Sequence, residues 1–323
     1  MPSRIKPIPF KPHRLLGFSD RLIASHYEKN YGGAVQRLNL IDARLSQFDW
    51  SSAPGFMING LQREKLIAAN SMILHEVYFD GLGGADGLGS PAVDPSGSLA
   101  HAIERDFGSY EKWRSEFTAM GRAMSGGSGW VILGWCPREG RLVNDWAADH
   151  THTRAGSIPL LALDMYEHAY QMDFGADAKA YVDTFMKNIH WDRPALRFEA
   201  GACAAERVVE PADTSAPMSA EELSARLAAG EQPLLLDICL AVDLPKRHDT
   251  LPGATFLPAE KRAEWIEQLP RDRPIIAYCM YGFQVSGDVV AELQKRGLKA
   301  RNLAGGIASW RAIGGATEPL KQA

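Results

Sequence analysis

Asp164 and His168 stand four residues apart in Leu163-Asp164-Met165-Tyr166-Glu167-His168, directly behind the apolar run Leu160 to Leu163. A helical turn at that spacing points both side chains to one side and offers a carboxylate oxygen and an imidazole nitrogen to one point. A hard carboxylate joined by neutral imidazoles suits iron or manganese better than the thiolate-rich sets that select zinc or copper. His26 and His75 can complete such a set and leave open positions for redox chemistry. By spacing alone, a lone histidine on an apolar helical face is more often a hydrogen-bonded core residue, so the ligand reading and the interior reading stand side by side.

The other chemically suggestive side chain is a thiol. Cys136, Cys203, Cys239 and Cys279 are scattered without a CxxC pair, which argues against a zinc site and against a disulfide scaffold. Only Cys279 is placed for chemistry. It ends the apolar run Pro274 to Tyr278 and precedes a turn and a helix, where backbone N–H groups and the positive helix end favour a thiolate and hold an anion.

The elements that must position these groups can be read from periodicity. Apolar positions from Asp20 to Leu45 predict two helical stretches with a bend near Gly32 and Gly33, and Gln62 to Asp80 repeats that character, which together suggest a helical hairpin. After the Gly-rich stretch Gly81 to Gly97, a helix with Ser98 as its cap and a second over Tyr110 to Met124 are expected. Strands follow at Trp130 to Trp135, Arg141 to Ala147 and Leu160 to Leu163, with a closing helix at Ala178 to Lys187. Gly201 to Met218 is rich in Ala, Pro, Ser and Thr and reads as a linker. Beyond it Ser219-Ala220-Glu221-Glu222 opens a capped helix, Pro233 to Ile238 and Pro274 to Cys279 are buried strands, and Gly287 to Arg296 is a helix, an alternation that implies a small parallel sheet.

Composition narrows the function classes. The 323 residues suffice for two or three domains, and 46% hydrophobic with 23% charged residues describes a globular chain. A net charge of −4 without a long Lys/Arg run gives nucleic acid no footprint. Neither a membrane-spanning stretch nor the apolar segment of a signal peptide is found, so the cytoplasm is the expected compartment and no membrane partner is expected.

Several separated stretches share one likeness. Ser25-His26-Tyr27-Glu28-Lys29-Asn30-Tyr31-Gly32-Gly33-Ala34-Val35-Gln36-Arg37-Leu38-Asn39 and Leu74-His75-Glu76-Val77-Tyr78-Phe79 resemble the two helices that carry the first ligands of the iron/manganese superoxide dismutase family. Gly127-Ser128-Gly129-Trp130, the run Leu160 to Tyr170 and Asn188-Ile189-His190-Trp191-Asp192 are similar to its other recognisable segments. The resemblance implies an α+β fold, with a helical hairpin followed by an α/β domain around a three-stranded antiparallel sheet. It also implies His26, His75, Asp164 and His168 as ligands of one Fe or Mn ion per subunit, with iron the preferred of the two. The metal would cycle between two and three positive charges, taking an electron from one superoxide and giving it, with protons, to the next. Glu167 would reach His168 of a second subunit in a homodimer, and Trp130, Phe79 and Trp191 would form an apolar cage. His150, rather than His152, takes the place of the residue that hydrogen-bonds metal-bound solvent.

Two positions depart from the family pattern. Ala34 stands where a gateway Tyr is usual, and Asn30 where a His is usual, which removes two groups of the family's proton relay. Tyr31 or Tyr27 could stand in. Ser71, four residues before His75, matches neither metal type. An alternative reading therefore makes the N-terminal part a metal-bound module of low activity, a sensor or scaffold.

Leu234 to Ile238, Leu251-Pro252-Gly253-Ala254, Ile275 to Cys279 and Leu303 to Trp310 resemble rhodanese-like domains, which are α/β folds with a parallel sheet. This likeness implies a sulfurtransferase or thiol module with Cys279 as the nucleophile that carries persulfide sulfur. The loop Cys279 to Ser286 keeps the family's Gly, lacks its common Arg and is one residue longer, and a silent partner-binding domain is the alternative. Cys136, Cys203 and Cys239 read as structural, and Asp237 as orienting the loop. The expected layout is 9–97 and 98–200 for the two dismutase domains, 201–217 for a linker and 218–323 for the rhodanese-like domain.

Overall fold

Ser19 opens the first helix, its side chain accepting the Leu22 N–H at 3.1 Å; a hydroxyl there satisfies an amide that the helix itself leaves orphaned. The computed structural model describes residues 2–83, 94–202 and 216–320. The chain divides into two units, Met1–Pro2 with Pro9–Arg207, and Ser3–Ile8 with Val208–Ala323. Cys203 and the rest of 203–215 in the expected linker, and 84–93 of the Gly-rich stretch, lie outside the described residues.

In the first unit, α1 (Asp20–Ser25) runs into a π-helical turn (His26–Tyr31) and then α2 (Gly32–Ser46). The irregularity expected at Gly32 and Gly33 thus falls one turn earlier. In a π turn, residues five apart share a face, and His26, Tyr27 and Tyr31 are all buried there. The hairpin is completed by α3 (Gly55–Asp80), seven residues longer at its start than periodicity indicates, because Pro54 in extended conformation sets its entry. Next come α4 (Gly97–Phe107) and α5 (Tyr110–Ala123). Ser98 does not cap α4. It lies inside the first turn, and its hydroxyl donates to Glu199 Oε1 at 3.1 Å.

The strands β1 (Trp130–Cys136), β2 (Arg141–Ala147) and β3 (Ile158–Asp164) form an antiparallel sheet in the order β2-β1-β3. β1 is central and buried at every position, as its unbroken apolar run requires, whereas the outer strand β2 has exposed positions. Register sets Trp130 opposite both Ala147 and Asp164. Gly129 leads into β1 at φ +129°, and a Cβ there would lie 2.0 Å from the Ala147 carbonyl oxygen, so only glycine fits. Asp164 belongs to β3 rather than to a following helix. After it a 3-10 turn (Glu167–Ala169), α6 (Gln171–Phe174), α7 (Ala178–Phe185) and α8 (Asp192–Ala202) complete the unit.

The second unit begins with α9 (Ala220–Ala228), capped by Ser219, whose side chain accepts the Glu222 N–H at 3.1 Å. Its parallel sheet has the order β6-β4-β7-β8, built from β4 (Leu234–Cys239), β6 (Thr255–Pro258), β7 (Ile275–Tyr278) and β8 (Ala300–Asn302). A two-stranded ladder joins β5 (Asp249–Thr250) to β9 (Glu318–Pro319). Leu236, Ile238, Ile275 and Ala277 pack on one sheet face with the short α10 (Arg262–Trp265) and α11 (Gln284–Lys295). Leu235, Ile276 and Tyr278 pack on the other with α9 and α12 (Gly306–Ala312). Alternate residues of one strand thus feed two cores. Ile5 and Ile8 of the N-terminal segment are buried, and the Ile5 N–H bonds Glu221 Oε1. Among the described residues no helix is long and apolar enough to cross a membrane.

Candidate metal centre and thiol site

His26 comes from the π turn, His75 from α3, Asp164 from the end of β3 and His168 from the 3-10 turn behind it. Their ligand atoms all lie within 4.8 Å of one another. Asp164 Oδ2 is 3.1 Å from His26 Nε2, 3.1 Å from His168 Nε2 and 3.6 Å from His75 Nε2. Donors bound at roughly 2.0–2.2 Å to a common ion sit about that far apart. Asp164 and His168 meet by a different route from a helical turn. The strand ends at Asp164, Asp164 Oδ1 accepts the Tyr166 N–H at 2.9 Å, and the tight turn then brings His168 back.

The hydrogen bonds select the ligating form of His75. His75 Nδ1–H donates to the Ser71 carbonyl oxygen at 2.7 Å, so its Nε2 faces the cluster as a lone pair, and this buried atom has no hydrogen-bond partner. Burial pushes the His75 imidazole down to about 3, with the neighbouring His26 adding to the fall. His26 is lowered chiefly by burial as well, against the pull of Asp164. Burial by itself would raise Asp164, but the charge and hydrogen bond of His168 and the bond to His26 outweigh it and hold the carboxyl below its usual range. A neutral imidazole beside an ionised carboxylate is the form a hard metal cation takes up, and the buried lone pair of His75 with no partner is where it would sit.

Aromatic rings enclose the cluster. Phe79 and Tyr78 lie 5.0 and 4.9 Å from His26 by ring centroids, and Trp130 lies 5.2 Å from His75. Trp191, expected in this cage, packs on Trp113 and Tyr110 instead. Tyr166 was not anticipated as part of the site. It stacks between His150 at 4.9 Å and His168 at 5.4 Å, and its place between the two ends of the Asp164/His168 pair was the available signal. Tyr181, also unforeseen, donates to the Asp164 carbonyl oxygen at 2.7 Å.

His150 faces the cluster, 6.3 Å from His75 by centroids, with Nδ1 accepting the Trp130 indole N–H at 3.0 Å. Burial lowers its pKa. His152 is half exposed and pairs with Asp149 at 3.1 Å. Ala34 is buried in α2. Tyr31, one of the candidate stand-ins for the missing gateway Tyr, stacks on His75 and sends its hydroxyl to Glu76 Oε1 at 3.1 Å.

In the second unit Cys279 lies just past β7, buried, with the Ser286 hydroxyl 3.3 Å from its sulfur. The loop turns at Gly282, φ +70°, where a Cβ would fall 2.5 Å from the Leu303 carbonyl oxygen. Asp237 Oδ2 accepts the Thr250 hydroxyl at 2.7 Å and pairs with the buried Arg247. The same Thr250 meets the Tyr278 hydroxyl at 2.7 Å, so Asp237 fastens the segment beside the residue that precedes Cys279.

Comparison with known proteins finds a family for each of the two parts of the chain. The family profile for iron/manganese superoxide dismutases, C-terminal domain, matches residues 95–197, and that for the rhodanese-like domain matches 219–313. The chain is 62% identical over 196 residues to a superoxide dismutase [Fe] of Cupriavidus metallidurans, a match covering 61% of this chain and 96% of that protein. A superoxide dismutase [Fe] of Aquifex aeolicus is 35% identical over 195 residues, covering 58% of this chain and 88% of its own length. A superoxide dismutase [Mn] of Halobacterium salinarum is 32% identical over 208 residues, covering 61% and 96%.

Proposed function

The chain belongs to the iron/manganese superoxide dismutases, with a rhodanese-like domain following, and from that premise we propose which of its residues carry the chemistry. Its activity is the conversion of two superoxide anions and two protons to dioxygen and hydrogen peroxide with iron or manganese as cofactor. An inert sensor or scaffold in place of the dismutase is not favoured. The metal would be held by Nε2 of His26, His75 and His168 and by Asp164 Oδ2. The observation that carries this assignment is the convergence of these four donors, three of them fully buried, within 4.8 Å.

A bound iron or manganese ion supplies the one-electron oxidation and reduction that the reaction needs. The rest is work for the chain. Asp164 offsets the cation's charge, and its Oδ1, held by the Tyr166 amide, keeps the carboxylate from turning. Trp130, Phe79 and Tyr78 exclude bulk water, which strengthens every electrostatic contact inside. With Nδ1 occupied by the Trp130 donor, neutral His150 carries its proton on Nε2 and offers a hydrogen-bond donor at the edge of the site. His150 thus takes the proton-handling role that Asn30 and Ala34 lack.

We propose further that exposed Glu167, adjacent to His168, reaches the partner subunit's site in a homodimer, that Cys279 is a sulfur-carrying nucleophile, and that the protein works in the cytoplasm. Residues 9–97 and 98–200 form the dismutase domains, 201–217 the linker and 218–323 the rhodanese-like domain, to which Ser3–Ile8 are added. Dismutation by protein loaded separately with iron and with manganese, with His75→Ala as control, tests the central assignment. Activity that persists in His75→Ala would overturn it.

A further inference from the structure

His150 is gripped from three elements. Trp130, at the head of β1, donates its indole N–H to the ring Nδ1 at 3.0 Å, and Asn70 of α3 donates its side-chain amide to the His150 carbonyl oxygen at 2.5 Å. These bonds hold one ring atom and the main chain. A hydrogen bond tolerates a broad spread of angles, so the imidazole can still swing about it unless something covers its face.

Tyr166 covers that face. Its ring lies 4.9 Å from that of His150 by centroids at an interplanar angle of 12°, and 5.4 Å from that of His168 at 15°. His168 in turn stacks on His75 at 5.7 Å and 19°. Stacked rings at such separations attract one another beyond the area they bury. The backbone of Tyr166 is fixed as well. Its N–H donates to Asp164 Oδ1 at 2.9 Å, and the residue is extended, φ −69° and ψ 145°, immediately before the 3-10 turn that carries His168. One residue therefore touches the carboxylate of the cluster, one of its imidazoles, and His150.

We infer that Tyr166 is the positioning residue for His150: its ring, wedged between His150 and His168, keeps the His150 Nε2–H aimed at the cluster. Trp130 selects the nitrogen that carries the proton, and Tyr166 selects where that proton points. Ala34 and Asn30 leave more of the proton handling to His150, so the alignment of this one ring weighs on turnover. This rests on the reading of His150 as the proton-handling group.

The test compares iron-loaded full chains carrying Tyr166→Leu, Tyr166→Phe, His150→Ala, and Tyr166→Leu with His150→Ala. Metal content by elemental analysis is expected to match wild type in all of them. Stopped-flow decay of superoxide is expected to slow about tenfold in Tyr166→Leu and to stay within about twofold of wild type in Tyr166→Phe, which keeps the ring; a catalytic group misplaced by about 1 Å costs up to about a hundredfold. Because Tyr166 acts through His150, adding Tyr166→Leu to His150→Ala slows the reaction no further. A second readout needs no turnover. In metal-free protein with isotope-labelled histidine, the nitrogen NMR signals of His150 are identified by their loss in His150→Ala. They are expected to show the Nε2–H tautomer alone in wild type and Tyr166→Phe, and both tautomers in Tyr166→Leu, whose ring swings away from the Trp130 donor.

Loss of metal in Tyr166→Leu, or further slowing in the double variant, overturns the inference, because Tyr166 then acts through the ligands His168 and Asp164. An unchanged rate and a single tautomer in Tyr166→Leu beside a slow His150→Ala overturn it and leave the role of His150 intact. Equal rates in wild type and His150→Ala remove both.

Discussion

The Trp130 indole donates its N–H to Nδ1 of His150 at 3.0 Å, across twenty residues of chain. An indole nitrogen is only ever a donor, so the bond fixes which imidazole nitrogen of neutral His150 carries the proton. The donor left over belongs to Nε2.

His150→Ala is therefore expected to keep its metal and lose turnover by about a hundredfold, the low end of what a positioned proton donor contributes. Trp130→Phe, which frees the ring to take either tautomer, should fall between the two. Stopped-flow decay of superoxide on metal-replete protein checks this. Equal rates in wild type and His150→Ala would remove His150 from the mechanism.

His75→Ala takes away the donor whose Nε2 lacks any other partner. Metal content after purification, measured by elemental analysis, is expected to fall to a small fraction of the wild-type value. The variant should still fold, since a buried imidazole is replaced by a smaller apolar side chain. Full metal occupancy would mean that the ion sits elsewhere.

The metal-free first unit is expected to lose stability on acidification. His75, with an ordinary value of 6.5, is lowered to about 3 in the fold, so the unfolded chain binds protons that the folded one refuses. Its contribution is whole above about pH 6.5 and is lost as the pH falls towards 3, at about 1.4 kcal/mol per pH unit. His26, also lowered, works in the same direction. Urea midpoints of apoprotein between pH 7 and 4 measure the slope, and a flat profile would contradict it.

Asp237 and Arg247 are both buried, and Asp237→Asn leaves the guanidinium without its countercharge. Breaking such a pair costs about 3–5 kcal/mol, whereas replacing both partners by apolar groups of similar size is nearly neutral. Denaturation of the second unit is expected to show the loss in Asp237→Asn and its recovery in Asp237→Leu/Arg247→Met. A single substitution that proves harmless would show that the pair is solvated.

The N-terminal segment offers a further check. Ile5 and Ile8 are 5% and 1% exposed, and burial of an isoleucine is worth about 1.5–3 kcal/mol. Ile5→Ser with Ile8→Ser should lower the unfolding midpoint of the second unit and spare that of the first. No change would mean that the segment rests on the unit without stabilising it.

Much of this protein is written locally. The unbroken apolar run of β1 can only be a covered central strand, and Ser19 and Ser219 cap the helices they precede, because both effects act within a few residues. The histidine-bearing segments carry their likeness in short contiguous motifs, so His26, His75, Asp164 and His168 are legible as a set. Other features depend on which elements pack together. Asp164 and His168 meet through a strand end and a tight turn, which four-residue spacing alone does not distinguish from a helix. His150 and His152 have the same residue type two positions apart, and only the Trp130 contact separates the buried ring from the surface one. Tyr166 joins the site, while Trp191 leaves it for Trp113 and Tyr110. The pairing of β4 with β7 sets Asp237 opposite Tyr278 across forty-one residues, and Ser3–Ile8 join a unit whose remainder begins two hundred residues later. Periodicity records which face of an element is apolar, whereas the identity of the partner covering it is a long-range choice made by packing.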